Sequence, residues 1–425
     1  MTSTEIPLTG AARNAFAAAL LFSVVIYLAL AGSQYLATWR VQQPDLPSLR
    51  KAVALAPGNA EYRYRLGRYY LLAEANPLAA RQAYRFAVAL DPHEARYWFE
   101  LASADLLLGD TDQQKDALEQ AIHAAPTSPR VAWEAANFYW SRGDDARALQ
   151  EFRVVLENDP AQAGTALKYC WKIRPDADAL LQDVIPHDAG SLSLFLDFLI
   201  AGNNRQDAAK VWKQIVVFQR PLESRYIFTY IHYLIDQRDV AQARLVWQQA
   251  AELAGLSGYQ PSSENLVVNG DFSLPMLNGG FDWLYEQLPD VTLALDSTQS
   301  HSGHRSLSIG FDSHGIEDAG IRQLIPAEPS TNYEFSAYFK ARDIQGAGAP
   351  RFVVQDAFTG SLYFASDHLN EADFWKPVEG RFSTGPDAKL FVLRIQRFPP
   401  GNAIRGNLWI DGVRLVERKA AEDTH

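Results

Sequence analysis

The sequence of 425 residues contains a single cysteine, Cys170, and this scarcity excludes several classes of protein. One thiol can form neither an internal disulfide framework nor a thiolate metal cluster. Positive charge is also scarce, since 39 lysines and arginines are outnumbered by 50 aspartates and glutamates. Residues 41–260 and 261–425 are each acidic on balance, so neither offers the basic surface that nucleic-acid binding requires. We therefore predict no nucleic-acid partner.

Catalytic motifs are missing as well. The sequence has no GxSxG, HExxH or P-loop motif, and no GxGxxG between a strand and a helix. A glycosidase would need two carboxylates about 5–10 Å apart across a cleft, and no acidic pair in the sequence stands out for that role. We predict a protein that is not an enzyme. The alternative is a glycan-processing enzyme, or its accessory subunit, with a site that no known motif marks.

Charge is absent between Arg13 and Arg40, and the run 15–31 within this interval is almost entirely apolar. Seventeen residues make a helix about 25 Å long, and continuing to Trp39 gives enough length to cross a bilayer with some tilt. We predict one continuous helix over 15–38.

The predicted helix makes residues 1–40 an N-terminal tail and membrane anchor. Two alternatives stay open at this point. The triplet 29–31, Ala-Leu-Ala, fits the small-x-small pattern of a cleaved signal peptide, which would make the protein secreted. A buried core helix is the third interpretation.

Proline recurs with nearly constant spacing across the middle of the chain. Pro57, Pro92, Pro126 and Pro160 are 35, 34 and 34 residues apart. A period of 34 is typical of stacked helical hairpins, in which each unit buries its apolar face only against its neighbours. Each proline is predicted to stop the second helix of a hairpin, because proline cannot continue the helical hydrogen-bond ladder.

Small residues recur in the same register, ten positions after each leading proline, at Gly67, Ala102 and Ala136. Small side chains let two antiparallel helices approach closely. With the closing proline this pattern resembles the tetratricopeptide repeat, although only Trp98 matches the family's tryptophan. The resemblance implies an α-helical solenoid, predicted here over 44–256 with an irregular stretch at 161–190. It also implies a groove that binds a protein partner.

The helical period ends at the Gly/Ser/Pro-rich segment 255–265, and alternation of apolar and polar residues begins beyond it. The segments 333–341, 390–398 and 407–416 are predicted strands, separated by turn clusters. Many short strands with turn signals are typical of an antiparallel β-sandwich. The predicted fold class is therefore α plus β in separate domains, with a transmembrane helix, a helical solenoid and a C-terminal sandwich.

A second resemblance covers nearly all of residues 264–418. NLVVNGDFS (265–273), HSGHRSLSI (301–309) and LWIDGVRLV (408–416) follow one another in order. They resemble the jelly-roll carbohydrate-binding modules of the family 4, 9 and 22 type, within the galactose-binding-like fold. The resemblance implies a sandwich that binds glycan, and residues 419–425 beyond it are predicted to be a disordered tail.

A glycan site needs an aromatic platform and polar groups, because sugars present both apolar C–H faces and hydroxyls. Alternation places several such side chains on the solvent side of predicted strands. The candidates are Tyr338, Lys340, Gln355, Arg394, Gln396 and Trp409. We expect them on one concave sheet, with Tyr338 stacking on a sugar ring. A packing role for Trp409, and a sheet face that is merely solvated or packed against the solenoid, stay open as alternatives.

The resemblance also implies a structural calcium ion near the first and last strands, with Asn269, Asp271 and Asp411 at the matching positions. Calcium takes six to eight oxygen ligands, and the family's usual acidic residue after the NGDF phenylalanine is Ser273 here. The alternative is that the two aspartates cap turns. No other cofactor is predicted.

These features together predict a membrane-anchored adaptor of the bacterial envelope, with its soluble part periplasmic or otherwise extracytoplasmic. The solenoid would hold a protein partner, and the sandwich would bind glycan or a second protein. Resemblance to systems of polysaccharide assembly and export suggests that setting. The alternative from another class is a purely structural scaffold whose sandwich binds nothing.

Overall fold

The structure is a computed structural model that describes residues 10–43, 45–219, 221–370 and 372–418. The chain divides into two compact units, residues 1–187 and 188–425. The predicted tail at 419–425 and the first nine residues of the predicted N-terminal segment lie outside the described residues. The predicted domain boundaries at 40, 44, 256, 264 and 418 remain predictions.

The first unit is built of antiparallel helical hairpins. Its helices are α1 (Gly10–Val41), α2 (Leu46–Leu55), α3 (Ala60–Leu72), α4 (Pro77–Leu90), α5 (Ala95–Leu107), α6 (Thr111–Ala124), α7 (Pro129–Ser141), α8 (Asp145–Asn158), α9 (Pro160–Ile173) and α10 (Ala177–Asp183). Each second helix stops one or two residues before a repeating proline, as predicted. Gly109 and Gly143 follow α5 and α7 with φ of 71° and 76°, the left-handed conformation expected of helix-ending glycines. The predicted solenoid architecture is confirmed.

The recurring small residues lie where paired helices meet. Ala102 and Ala136 are buried, and a Cβ atom at Gly67 would lie 2.6 Å from Cε1 of Tyr84 on the next helix. Tyr84 itself is fully buried, so it has no room to move aside. The close approach of α3 and α4 therefore depends on the missing side chain at position 67.

Enlarging one of these positions tests the register. We expect Ala102→Leu to lower the free energy of unfolding of the first unit by about 1–3 kcal/mol, because the added atoms overpack a filled helix interface. Ala146→Leu is the matched control, since Ala146 is an exposed residue of helix α8. Urea titration of both variants gives the comparison, and equal midpoints would mean that Ala102 does not face the neighbouring helix.

Helix α1 has an exposed apolar part and a C-terminal part that packs against the solenoid. Its apolar side chains from Phe16 to Leu30 are exposed, whereas Ala37 and Val41 near its end are buried in a cluster with residues of α2 and α3. The hydroxyl groups of Thr38 and Tyr62 lie 2.9 Å apart, which ties α1 to α3. The last turns of α1 therefore form the first helix of a hairpin whose second helix is α2.

The predicted irregular stretch at 161–190 is mostly helical in the structure. Helix α9 (Pro160–Ile173) is a regular first helix, in which Cys170 is fully buried, and α10 (Ala177–Asp183) is a second helix of only seven residues. The stretch is helical, but it departs from the repeat in two ways, because α9 begins at Pro160 itself and not three residues after it, and α10 is about half the usual length. Arg174 follows α9 directly and its guanidinium pairs with Asp183 at 3.4 Å across this short hairpin.

The second unit joins two helical hairpins to the sandwich. The hairpins are α11 (Ala189–Ala201), α12 (Arg205–Phe218), α13 (Ser224–Asp236) and α14 (Val240–Leu253). The strands are β1 (Trp283–Tyr285), β2 (Val291–Asp296), β3 (Ser306–Gly315), β4 (Asp318–Pro326), β5 (Asn332–Gln345), β6 (Pro350–Asp356), β7 (Leu362–Ala365), β8 (Ala372–Ser383), β9 (Leu390–Arg397) and β10 (Ala403–Arg418). Two antiparallel five-stranded sheets result, with orders β1-β4-β9-β6-β7 and β2-β3-β10-β5-β8. The predicted fold class is confirmed.

The sandwich loop that contains Gly279 and Gly280 packs closely against the helical hairpin α13–α14. Gly279 and Gly280 lie so close that a Cβ atom at either would come within 2.1 Å of the ring of Phe228 or Trp247, respectively. The indole of Trp247 also donates to the carbonyl of Tyr259 at 3.0 Å. Because Trp247 is almost completely buried in this contact, helices and sandwich of the second unit share one core at this point.

Candidate functional site

The six predicted glycan-site residues do not lie on one sheet, which corrects the expectation of a single concave site. Tyr338 and Lys340 belong to β5 and Trp409 to β10, in the sheet β2-β3-β10-β5-β8. Gln355 belongs to β6, and Arg394 and Gln396 belong to β9, in the other sheet. All six alternate with core residues, so they point away from the shared core on opposite sides of the sandwich.

The outer surface of the sheet β1-β4-β9-β6-β7 gathers guanidinium groups, and we call it the arginine face. It is defined by Arg322, Arg351, Arg394, Gln355 and Gln396. Arg322 pairs in register with Arg394, and Arg351 pairs with Gln396. Val353 pairs with Arg394 and Val392 pairs with Gln355, and both valines are buried. The exposed part of the face therefore consists of donors for polar groups.

Carboxylates at the edge of the arginine face hold two of its guanidiniums. Glu286 lies 2.8 Å from Arg322, and Asp318 lies 3.5 Å from Arg394. Burial raises the pKa of Asp318 above its ordinary value, although a hydrogen bond from Gly320 N and the charge of Arg394 both lower it. Arg351 instead lies over the ring of Phe398, 5.3 Å from its centroid, and contacts His368 Nε2 at 3.4 Å.

Sequence reasoning missed Arg322 and Arg351. In β4, Ile321, Gln323 and Ile325 are buried on one side of the strand, so Arg322 lies on the other side. The spacing of the two isoleucines indicates this side, but the polar Gln323 and the apolar Leu324 break the alternation in the sequence. The proximity of Arg322 to Arg394 could not be predicted, because it depends on which strands pair.

The outer surface of the other sheet carries an aromatic cluster, the aromatic face, defined by His301, Tyr338, Trp375, Trp409 and Lys340. The rings of His301 and Tyr338 stack with centroids 3.5 Å apart, and Trp375 meets His301 edge-on at 6.0 Å. One side of the Tyr338 ring is thus already covered by a protein side chain. Stacking of a sugar on Tyr338 stays a prediction and would use the other side of the ring.

Trp409 lies flat on this sheet and is only 8% exposed. Its indole nitrogen donates to Asp296 Oδ2 at 2.9 Å, and the guanidinium of Arg342 lies 5.8 Å from its ring centroid. The ammonium of Lys340 donates to Gln299 Oε1 at 2.9 Å. These partners favour the packing role that the sequence left open for Trp409.

The three residues at the implied calcium positions use their oxygens in turns. Asp411 is fully buried and accepts hydrogen bonds from the backbone of His301 and Ser302 at 2.6 and 2.8 Å. Asp271 accepts from Ser273 N and Oγ, and Asn269 Oδ1 accepts from Leu274 N at 2.9 Å. In the described ranges no group of three histidine, cysteine, aspartate or glutamate side chains comes together as a metal site. Calcium also takes backbone and amide oxygens, so the structural calcium ion stays a prediction beside the turn-capping role.

The solenoid groove is the third candidate surface. A cavity of about 540 Å³ lies beside the end of α1 and is lined by Tyr64, Arg65 and Arg68 of α3 and by Arg96 of α5. Glu61 pairs with Arg65 at 2.8 Å, and the Arg96 guanidinium lies 5.6 Å from the Tyr64 ring centroid. The groove therefore offers cationic and aromatic contacts to an extended chain.

Comparison with known proteins locates one repeat directly. The family model "Tetratricopeptide repeat" matches residues 95–128, which contain α5 and α6. These residues form one complete hairpin of the solenoid. No curated protein matches the sequence.

Solved structures show likeness to both parts of the chain. The crystal structure of MamA protein is 16% identical, with 44% of this chain and 90% of that chain covered and a TM-score of 0.30. A CBM4 structure is 16% identical over 36% of this chain and 99% of that chain, with a TM-score of 0.29. The CBM22-1 xylan-binding domain from Paenibacillus barcinonensis Xyn10C is 17% identical over 38% and 99%, with a TM-score of 0.28. Because all three TM-scores are low, the description of the architecture depends on the helix and strand packing given above and not on these similarities.

Proposed function

We propose that this protein is a non-enzymatic, membrane-anchored adaptor of the cell envelope, whose solenoid binds a protein segment and whose sandwich binds a glycan. The observation that carries the proposal is helix α1. Its uncharged residues 14–32 would span about 28 Å, close to the thickness of a bilayer core. Its residues 33–41 belong to the first layer of the solenoid.

The exposure of α1 supports a membrane environment. Leu21 and Phe22 are each 67% exposed and Tyr27 is 70% exposed, with no part of the described chain covering them. The segment Arg13–Val41 is long and apolar enough to cross a membrane. A contiguous apolar surface of this size is unfavourable in water, and insertion into lipid would remove it from water.

The protein partner would lie in the groove of the first unit. Arg65, Arg68 and Arg96 line it, and Tyr69 adds partly exposed aromatic surface. Glu61 pairs with Arg65 and Arg96 but leaves donors of these guanidiniums, and those of Arg68, for a ligand. Guanidinium groups bind carboxylates in a bidentate fashion, so an acidic segment suits this groove. The arginine face of the sandwich would bind the glycan. A glycan ligand supports an extracytoplasmic soluble part and a role in polysaccharide assembly or export.

Fractionation of the full chain tests the anchor. We expect the protein to remain with membranes after alkaline carbonate extraction, with residues 10–32 still present in the mature chain. A variant that begins at Gly32 is the control, because it keeps Ala37 and Val41 and so the first layer of the solenoid. Recovery of the wild-type chain in the soluble fraction with Gly32 at its N-terminus would contradict the anchor and establish a removed signal peptide.

The side of the membrane can be read from one new thiol. Cys170 is fully buried and burial raises its pKa to about 12, so the native chain should react poorly with maleimides. In a Ser263→Cys variant the new thiol lies at an exposed position. We expect a membrane-impermeant maleimide to label this variant in cells with a permeabilised outer membrane and an intact inner membrane. Labelling only after lysis would place the sandwich in the cytoplasm and contradict the proposal.

A further inference from the structure

We propose that the ligand of the arginine face is an acidic polysaccharide whose carboxylates are held by Arg322 and Arg394 across neighbouring strands. This inference rests on the proposed glycan-binding role of the sandwich and narrows it to one class of polymer. The juxtaposition of guanidinium groups on a domain that is otherwise acidic carries it.

Arg322 and Arg394 are direct partners in the β4–β9 register. Like charges directly opposite one another on a sheet destabilise it, so the pair is unfavourable unless anions offset it. Glu286 lies beside Arg322 and Asp318 lies beside Arg394, and the charge of Asp318 also acts on Arg322, so the two carboxylates offset the repulsion in part. Each ion pair uses one terminal nitrogen of an arginine. A guanidinium has five N–H donors, so donors on the exposed side of both arginines are left for another acceptor.

Arg351 extends the cationic surface by one more strand. Within the described residues it has no carboxylate partner, and the Nε atoms of Arg351 and Arg394 are buried without a hydrogen-bond acceptor. Three guanidiniums therefore meet two carboxylates on this face, whereas residues 261–425 as a whole carry more acidic than basic side chains. The local excess of positive charge runs against the composition of the domain.

The remaining groups of the face suit a sugar ring that bears the carboxylate. Gln355 and Gln396 are half-buried and supply amide donors and acceptors for hydroxyls. Phe398, which is 63% exposed beside Arg351, offers a ring for stacking. A planar carboxylate matches the fork of a guanidinium, and a neutral glycan would leave the paired charges unused.

The test compares polymers that differ only in charge. The full chain in detergent micelles is titrated by isothermal calorimetry with polygalacturonate and with the same polymer fully methyl-esterified. Alginate, neutral dextran and inorganic polyphosphate complete the panel. We expect at least one polyuronate to bind, the esterified polymer to bind at least tenfold more weakly, and affinity to fall as salt is raised.

Variants place the binding on the arginine face. An Arg322→Gln, Arg394→Gln double variant should lose at least tenfold in affinity for the polyuronate, while the matching double lysine variant, which keeps the charge but not the guanidinium fork, should have an affinity between those of the wild type and the glutamine variant. Arg381→Gln is the control, because Arg381 is 79% exposed and pairs with Glu334 on the opposite sheet. Unchanged thermal unfolding of the glutamine variant separates lost contact from lost structure.

The other outcomes distinguish failure of the acidic-polysaccharide proposal from failure of the proposed glycan-binding role. Equal binding of the charged and esterified polymers, or binding of dextran alone, would overturn the acidic ligand and leave a glycan-binding sandwich. Preference for polyphosphate over every polyuronate would overturn the sugar class. Polyuronate binding that survives the double glutamine variant would remove the arginine face as its site. If none of the carbohydrate polymers binds, the proposed glycan-binding role itself fails.

Discussion

Gly280→Ala should destabilise the second unit by about 2–5 kcal/mol, because one added methyl group meets both a backbone and a packing obstacle. Gly280 has φ of 63°, which L-residues avoid, and its Cβ would lie 2.1 Å from Cζ3 of Trp247. The indole cannot yield easily, since Trp247 is 1% exposed and its nitrogen is bonded to Tyr259 O. Urea unfolding of the full chain, with hydrogen exchange of residues 188–418, measures the loss.

Gly360→Ala separates the two obstacles. Gly360 also has a left-handed backbone, with φ of 73°, but no atom lies within 4 Å of its added Cβ. This variant should cost only the conformational part, about 1–2 kcal/mol. Equal losses at positions 280 and 360 would show that the sandwich loop does not press on Trp247, and that the helices and sandwich of this unit are held together elsewhere.

Asp411→Ala should lower the stability of the sandwich by about 2–4 kcal/mol, because it strands backbone donors that the buried carboxylate now satisfies. Asp411 accepts from His301 N, Ser302 N and Ser302 Oγ, and these bonds hold the 301–303 turn against β10. Asp271→Ala is the control, since Asp271 caps only the partly exposed Ser273. Its loss should be below about 1 kcal/mol.

Calcium provides the second measurement on the same residues. We expect the unfolding temperature of EDTA-treated protein to be unchanged on adding millimolar calcium, because the oxygens of Asn269, Asp271 and Asp411 already accept hydrogen bonds. A bound ion at a hundred times its dissociation constant would add about 2.7 kcal/mol. A rise in unfolding temperature that corresponds to this stabilisation, and that is absent in both aspartate variants, would show that calcium binds here and would contradict the turn-capping role.

Local periodicity is what made the solenoid predictable. Proline spacing and the small residues at 67, 102 and 136 act within one hairpin, so the sequence alone carries the register. The role of residues 33–41 was missed because this first helix has no leading proline and lies within a longer apolar run. Only packing against Tyr62 and Leu66 distinguishes it from the rest of α1.

The candidate site was predictable only in part, for a similar reason. Alternation correctly placed Tyr338 and Arg394 outside the core, because side chains of a strand point to opposite faces. It does not say which strands share a sheet, and pairing of β5 with β10 and of β9 with β4 puts the two residues on opposite sides. The clustering of Arg322 with Arg394 follows from the same long-range pairing.

In the proposed membrane-anchored arrangement, the continuity of α1 would fix the angle about the helix axis at which the solenoid of the first unit faces the bilayer. Residues 14–32 and 33–41 belong to one helix, so each residue inserted between them would turn the solenoid by about 100° about the helix axis while lifting it by only about 1.5 Å. The direction in which the groove of Arg65 and Arg96 faces along the membrane surface would then depend on the length of the proposed anchor. Insertions of three or four residues would nearly restore that direction, and insertions of two would nearly reverse it.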